Sequence, residues 1–298
     1  MKKVLIISLF LFLKSFGFSQ NGKLLSKELI DISTTPYWYK FSGNDTLKTK
    51  YNYLNKLNFY AIIYQSDSSI VRGITVEPKK EGVFPVVIFN RGGNASFAEL
   101  DVSTLIHFTS KLANQGYIIV ASNYRVKEEY GGKDINDVLY LTETIKEIKK
   151  ADTSRIGMFG WSRGGMMTYL ALQKSDKFKT AIVGNGPTDL FKIAEYRPLL
   201  EEKVFARFIP NYWENKKTEL KKRSVVYWAD ELDKQSSLLI LCGTKDRSCP
   251  YEQAENISLI LEKIEYDFTF IKFETDHTFS NKKEELSNEL IKWFNKRL

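Results

Sequence analysis

The chain has 298 residues, a formal net charge of +8, and apolar and charged shares of 43% and 27%. These values are typical of a globular protein with one large core, and they exclude a disordered or repetitive chain. The basic residues are interspersed with acidic ones, so we expect a solvated surface and no nucleic-acid partner.

Residues 1–19 have the pattern of a secretory signal peptide. Lys2 and Lys3 supply positive charge, and residues 4–13 are apolar except for Ser8. Such a run is too short to span a hydrocarbon layer of about 30 Å, which takes roughly 20 residues. We therefore expect cleavage near Ser19, export to the periplasm or the medium, and no stable membrane insertion afterwards.

Residues 20–80 are predicted to form a β extension of the main sheet. Residues 57–64 and 70–76 have strand composition, and residues 65–69 supply a turn between them. The pattern predicts an antiparallel edge that leads into the rest of the sheet.

Residues 81–298 alternate short apolar strands with helices. We predict strands at residues 85–89, 117–121, 155–159, 180–184, 237–242 and 268–273. Helical spacing follows them at residues 105–115, 135–149, 164–174, 254–263 and 284–296. This alternation predicts an α/β fold, a mostly parallel twisted sheet with helices on both faces.

Residues 190–232 interrupt this alternation with aromatic side chains set among many charges. Long insertions in compact domains are often lids, so we expect a lid-like element, with a packing subdomain as the alternative. Cys242 and Cys249 lie on either side of a predicted loop. Export would permit a disulfide between them, but a core position for Cys242 explains the sequence equally well.

A candidate nucleophile follows the predicted strand 155–159, in the turn Gly160-Trp161-Ser162-Arg163-Gly164. The sequence G-x-S-x-G between a strand and a helix is typical of a nucleophile elbow, whose sharp turn requires glycines around the serine. The turn would expose the Ser162 hydroxyl. It would also direct the Arg163 backbone N–H, at the positive end of the following helix, toward a substrate oxygen.

A serine nucleophile needs a base, and the chain has two histidines. His107 falls within a predicted helix and is expected to be structural. His277 follows the last predicted strand, which is the expected position of the base. Asp246 follows the strand 237–242 and is the predicted acid. Four other aspartates are less suitable, because they follow no strand end or belong to the histidine loop: Asp230, Asp233, Asp267 and Asp276.

The segment Arg91-Gly92-Gly93 follows the predicted strand 85–89 and could supply a second oxyanion donor. A plain glycine-rich turn is the alternative. A phosphate-binding loop is not supported, because no Lys-Ser or Lys-Thr pair follows the glycines. Serine, histidine and aspartate suffice for acyl transfer, so we expect no cofactor and no metal ion.

Three further side chains are predicted to contact substrate because they lie beside these strand ends: Arg91, Arg125 and Trp161. With Arg163, the two other arginines would make the mouth of the site positive. The resulting hypothesis is that substrates with an anionic group are favoured.

Several stretches together resemble the prolyl oligopeptidase family of serine peptidases and its esterase relatives. They are residues 123–125, 152–168, 184–190, 223–224 and 243–246 with Pro250, and the likeness extends over about residues 60–298. The resemblance implies an α/β-hydrolase fold with Ser162 as nucleophile, Asp246 and His277 as its partners, and the Arg163 N–H as an oxyanion donor.

The chain also departs from the family pattern. Arg91 stands where the family has a tyrosine or histidine before two glycines, so the N–H groups of Gly92 and Gly93 become the expected donors. Residues 20–80 are too few for a β-propeller, and no acidic pair for a peptide amino terminus is recognisable. These departures favour a small ester substrate over a short peptide. A non-catalytic binding protein on the same fold is the third alternative.

Overall fold

The computed structural model describes residues 20–94 and 97–298, so the predicted signal peptide lies outside the described residues. The described residues form strands with these bounds: β1 (Leu24–Ile30), β2 (Ser42–Gly43), β3 (Thr46–Leu47), β4 (Leu57–Ser66), β5 (Ser69–Pro78), β6 (Phe84–Asn90), β7 (Ile118–Ser122), β8 (Ala151–Trp161), β9 (Thr180–Gly184), β10 (Ser237–Gly243) and β11 (Phe268–Phe273).

Nine of these strands form one sheet in the order β1-β4-β5-β7-β6-β8-β9-β10-β11, and β2 pairs with β3 separately. The six strands from β7 to β11 in that order are parallel, whereas β1, β4 and β5 form an antiparallel edge. Strand β6 is buried at every position, as its continuous apolar sequence predicts for a strand covered on both faces. The predicted α/β-hydrolase fold is confirmed.

The α-helices have these bounds: α1 (Trp38–Phe41), α2 (Val102–Phe108), α3 (Ser110–Asn114), α4 (Ile135–Leu139), α5 (Leu141–Thr144), α6 (Arg163–Lys174), α7 (Leu190–Tyr196), α8 (Pro198–Leu200), α9 (Ala206–Phe208), α10 (Tyr212–Lys222), α11 (Glu252–Lys263) and α12 (Lys283–Arg297). The single helix predicted at 135–149 is instead broken into α4, α5 and a 3-10 turn. The Thr142 hydroxyl donates to the Leu139 carbonyl at 2.8 Å, a local bond of the kind that competes with a continuous helix.

Two apolar cores lie on opposite faces of the sheet. One contains side chains of α4, α6 and α11, and the other contains side chains of α2, α3 and α12. The insertion 190–232 folds into α7 to α10 and short turns, and its Phe205, Ile209 and Leu220 are buried in the first core. This packing favours the alternative of a subdomain that belongs to the core.

Cys242 and Cys249 are free, buried thiols in the structure, so the disulfide alternative is not realised. Burial raises the pKa of the Cys242 thiol to about 12, which keeps it protonated and unreactive at neutral pH. Among the helices of residues 20–94 and 97–298, none is both long and apolar enough to cross a bilayer.

Candidate active site

Ser162 lies between β8, which ends at Trp161, and α6, which begins at Arg163. Its backbone has φ 56° and ψ −127°, a conformation that non-glycine residues rarely adopt and that is typical of strained functional turns. A Cβ on Gly164 would lie 1.8 Å from the Asn90 carbonyl oxygen. The turn is this sharp because glycine lets α6 approach the end of β6 so closely.

The structure brings the predicted serine, histidine and aspartate into one row. His277 Nε2 lies 3.0 Å from Ser162 Oγ, and His277 Nδ1 lies 2.6 Å from Asp246 Oδ2. With the hydrogen on Nδ1, the ring donates to the carboxylate, and Nε2 accepts from the serine hydroxyl. This tautomer leaves Nε2 able to take the proton of Ser162.

The Asp246 carboxylate is held from both sides. Its Oδ1 accepts hydrogen bonds from the backbone N–H groups of Ser248 at 2.7 Å and Cys249 at 2.9 Å. Its side chain is fully buried, whereas the side chain of His277 is 22% exposed. The Asp246 carboxylate is therefore fixed in place, whereas the His277 imidazole remains accessible to solvent.

Asn185 was missed in the sequence, although it follows β9 at the same edge of the sheet. Its Nδ2 donates to the His277 carbonyl oxygen at 3.0 Å, and its Oδ1 accepts from the Gly243 N–H at 2.9 Å. The amide thus joins the loop of the histidine to the strand that precedes Asp246. Its position directly after a parallel strand was the available signal.

The loop after β6 lies against the nucleophile. A Cβ on Gly92 would lie 3.1 Å from the Cβ of Ser162 and 3.7 Å from its Oγ, so only glycine leaves this space open. Gly93 has φ 71° and precedes a turn in which the Asn94 N–H donates to Phe97. Within the described residues, the N–H groups of Gly92, Gly93 and Arg163 donate to no other group of the chain.

The prediction of a positive mouth is wrong. The Arg91, Arg163 and Arg125 residues are 1%, 2% and 7% exposed, and their guanidinium groups point into the protein. Each is paired with a carboxylate, because a buried charge is stable only with a partner. Arg91 and Arg125 therefore do not form the predicted charged substrate-binding surface.

Trp161 was predicted to contact substrate, and this is also wrong. Its side chain is buried in the second core, with its ring centroid 4.8 Å from that of Phe108 and 5.2 Å from that of Phe279. Position 161 is the last of β8, where side chains alternate between the two faces. The indole consequently packs on the face opposite to α6.

His107 lies in α2, as the sequence predicted, and is absent from the row of Ser162, His277 and Asp246. Its ring packs edge-on against Phe108, with centroids 4.6 Å apart. Burial, and after it the positive charge of Lys283, lower the pKa of His107 to about 4, so the ring is neutral at neutral pH.

Glu128 and Asp134 were missed in the sequence. They pair with Arg91 and Arg163 below the loop, and the side chains of both acids are at most 1% exposed. Three arginines placed after parallel strands were the signal, since buried guanidinium groups require carboxylates nearby. Within the part of the chain that the structure describes, no group of three histidine, cysteine or acidic side chains is arranged to hold a metal ion.

The turn at Ser162, the hydrogen bonds that join Ser162, His277 and Asp246, and the mostly parallel sheet together define a serine hydrolase of the α/β type. The model of the prolyl oligopeptidase family matches residues 104–298, and the chain belongs to that family. It is 26% identical over 264 residues to the uncharacterized peptidase YuxL of Bacillus subtilis, covering 78% of this chain and 38% of that protein. It is 24% identical over 229 residues to the acylamino-acid-releasing enzyme of Sus scrofa, covering 69% of this chain and 29% of that protein.

Solved structures show the same fold. An acylaminoacyl peptidase of Pyrococcus horikoshii matches with a TM-score of 0.69 and 22% identity, covering 84% of this chain and 43% of that one. An acetyl xylan esterase of Paenibacillus sp. R4 matches with a TM-score of 0.66 and 16% identity, covering 92% of this chain and 88% of that one. The chain thus spans less than half the length of the two curated relatives above and of the peptidase structure.

Proposed function

We propose that the chain hydrolyses carboxylic esters through an acyl-enzyme on Ser162. His277 Nε2 takes the hydroxyl proton as Ser162 Oγ attacks the carbonyl carbon, and Asp246 orients the ring and stabilises the imidazolium. The departing alcohol receives that proton. Water, deprotonated by the same nitrogen, then attacks the acyl-enzyme, which releases the acid and restores Ser162. The observation that carries the proposal is the row of hydrogen bonds joining the three side chains.

The proposed oxyanion donors are the backbone N–H groups of Arg163, Gly92 and Gly93. The attack places negative charge on the former carbonyl oxygen, and fixed N–H dipoles stabilise that charge without having to reorganise. Support comes from the contact between Gly92 and Ser162 and from the position of Arg163 at the N-terminus of α6.

The charges around the site favour an ester over a peptide with a free amino terminus. Binding the amino terminus of a peptide calls for an unpaired carboxylate, but Glu128 and Asp134, the acids below the loop, are both neutralised by arginines. Peptide hydrolysis is the second candidate, because the curated relatives are named as peptidases and as an acylamino-acid-releasing enzyme.

The experiment compares an ester and an amide of one acyl group, N-acetylphenylalanine ethyl ester and N-acetylphenylalanine p-nitroanilide. We expect turnover of the ester and none of the amide. Amide hydrolysis with a kcat similar to that of the ester would assign the peptidase function instead. A fluorophosphonate probe separates both from the binding-protein alternative, since a well-folded chain that takes no label is not a serine hydrolase.

We also propose that the chain is exported and loses its first residues. The support is the charged and then apolar sequence of residues 1–19. The test is N-terminal sequencing of the full-length chain after expression in a bacterium, in the periplasmic and secreted fractions. The mature chain should begin near Gln20, and an intact Met1 terminus found only in the cytoplasm would refute the proposal.

A further inference from the structure

A cluster of buried charges lies behind the loop that follows β6. It consists of Arg91, Glu128, Arg163 and Asp134, and none of these side chains is more than 2% exposed. Two positive and two negative groups balance, which is the condition under which such charges can be buried. We call these four residues the charge cluster.

The charge cluster is one connected chain of ion pairs. Glu128 Oε1 accepts from Arg91 Nη2 at 2.6 Å, and Glu128 Oε2 accepts from Arg163 Nη1. Arg163 Nη2 donates in turn to Asp134. The Tyr124 ring lies against both guanidinium groups, 4.8 Å from that of Arg91 and 4.9 Å from that of Arg163. Glu128 therefore ties the loop after β6 to the first residue of α6.

The same groups hold three successive carbonyls of the loop. Arg91 Nη1 donates to the Gly92 oxygen at 2.9 Å, and Arg163 Nη1 donates to the Gly93 oxygen at 3.0 Å. The Tyr124 hydroxyl donates to the Arg91 oxygen at 3.1 Å. All three peptide planes from residue 91 to residue 94 are thereby anchored through their oxygens.

Anchored oxygens determine where the N–H groups point. The peptides are trans, and a planar trans peptide directs its N–H opposite to its C=O. The N–H groups of Gly92 and Gly93 consequently point away from the donors that bind the preceding oxygens. Gly92 lies in contact with Ser162, and the Asn94 N–H is used in the turn to Phe97. Gly92 and Gly93 are thus the loop donors that remain for an oxyanion.

We propose that Arg91, Glu128 and the Arg163 side chain are positioning residues of the oxyanion hole. They hold the peptide planes of Gly92 and Gly93 so that the N–H groups of these residues and of Arg163 are oriented toward the oxyanion before the reaction begins. The inference rests on the proposed function, since it assigns the donors to the oxyanion formed at Ser162. Such pre-alignment stabilises the transition state more than the bound substrate, so its loss should lower kcat and leave KM nearly unchanged.

A second buried ion pair in the molecule provides a matched control. Arg125 donates to Asp137, whose side chain is fully buried, and Asp137 also accepts from Ser66. Among the described contacts of Arg125 and Asp137, none reaches Gly92, Gly93 or Arg163. Weakening this pair should lower stability without disturbing the loop.

The experiment compares the full chain with its variants Glu128→Gln, Arg91→Lys and Asp137→Asn. Thermal unfolding of each is measured first, and kcat and KM for N-acetylphenylalanine ethyl ester are then measured at a temperature where all of them remain folded. Glu128→Gln removes the charge that bridges the two arginines. Arg91→Lys replaces the two nitrogens that bond separately to Gly92 and to Asn123 and Glu128 by a single nitrogen, which cannot reproduce the planar fork. We expect Glu128→Gln and Arg91→Lys to lower kcat by about 10- to 100-fold, with KM changed less than about 2-fold. Asp137→Asn should lower the melting temperature and keep kcat within about 2-fold of wild type.

A trifluoromethyl ketone separates positioning from a general loss of structure. Ser162 adds to its carbonyl carbon and leaves an oxyanion, so its affinity should fall in parallel with kcat/KM across Glu128→Gln and Arg91→Lys. If either folded variant keeps its kcat, or if Asp137→Asn loses as much, the positioning role is overturned. A wild-type chain that neither takes a fluorophosphonate label nor hydrolyses any substrate overturns the proposed function, and this inference with it.

Discussion

Two groups of polar side chains lie on either side of the loop after β6, and they differ in their access to solvent. In front of it, His277 is 22% exposed and bonds to Ser162 and Asp246. Behind it, the charge cluster is at most 2% exposed on every member. The front group contains hydrogen bonds suited to moving a proton, whereas the rear group holds permanent charges that only fix geometry.

This difference shows that charged side chains near an active site do not have to act on the substrate. An arginine at the mouth would attract anionic groups, but Arg91 and Arg163 point away from the mouth and bind backbone oxygens. Burial lowers the pKa of Arg91. For Arg163, burial is more than offset by Asp134 and Glu128, which raise its pKa. The two regions should therefore respond differently to mutation. Substitutions of Ser162, His277 or Asp246 should lower the reaction rate, whereas substitutions in the charge cluster should also lower the stability of the fold.

Loss of the nucleophile is expected to have the largest effect. Ser162→Ala removes the atom that attacks the substrate, so kcat should fall by at least about 10⁴-fold, and labelling by a fluorophosphonate should disappear. Ser154→Ala, at an exposed position near the start of β8, is the matched control and should keep wild-type labelling. Persistent labelling of the Ser162 variant would place the nucleophile elsewhere.

Loss of the acid should follow. Asp246→Asn removes the charge that stabilises the imidazolium and disturbs the tautomer of His277, so kcat should fall by about 10³- to 10⁴-fold. Asp267→Asn, which breaks an exposed pair with Arg297, serves as control and should change the rate little. Equal rates in the two variants would show that the predicted acid has no catalytic role.

The sequence carried enough signal to predict the fold and the front of the site. Parallel strands buried on both faces read as continuous apolar runs, and each ends at the same edge of the sheet. Ser162, Asp246 and His277 follow β8, β10 and β11, so their meeting could be predicted from chain order alone. The separation of the two histidines followed from the same logic, because His107 falls inside a helix.

The direction of a side chain could not be predicted in this way. Arg91, Arg125 and Arg163 follow strand ends just as Ser162 does, and nothing local distinguishes an inward from an outward guanidinium. Their carboxylate partners lie between 29 and 37 residues away for Arg91 and Arg163, so the pairing is set by the tertiary fold. Trp161 is a related case, since one residue decides which face of β8 a side chain occupies.

Substitutions in the charge cluster should lower the stability of the fold. Asp134→Asn leaves the Arg163 guanidinium without one of its buried partners, so the free energy of unfolding should fall by about 3 kcal/mol, measured by urea denaturation. Asp267→Asn breaks the exposed pair with Arg297 and should cost less than about 1 kcal/mol. Similar losses in both variants would contradict the contrast drawn between buried and exposed charge.

The second histidine provides the smallest expected effect and tests how its surroundings hold the ring neutral. The pKa of His107 is about 4 in the folded chain, below its ordinary value of 6.5, because burial and Lys283 disfavour the charged ring. At this residue the unfolded state therefore binds more protons between these two values, so the contribution of His107 to stability falls as the pH drops through that window. Between pH 7 and pH 5 the loss should be about 2 kcal/mol. His107→Gln should flatten this part of the urea-denaturation profile, and an unchanged slope would show that His107 is not the group responsible.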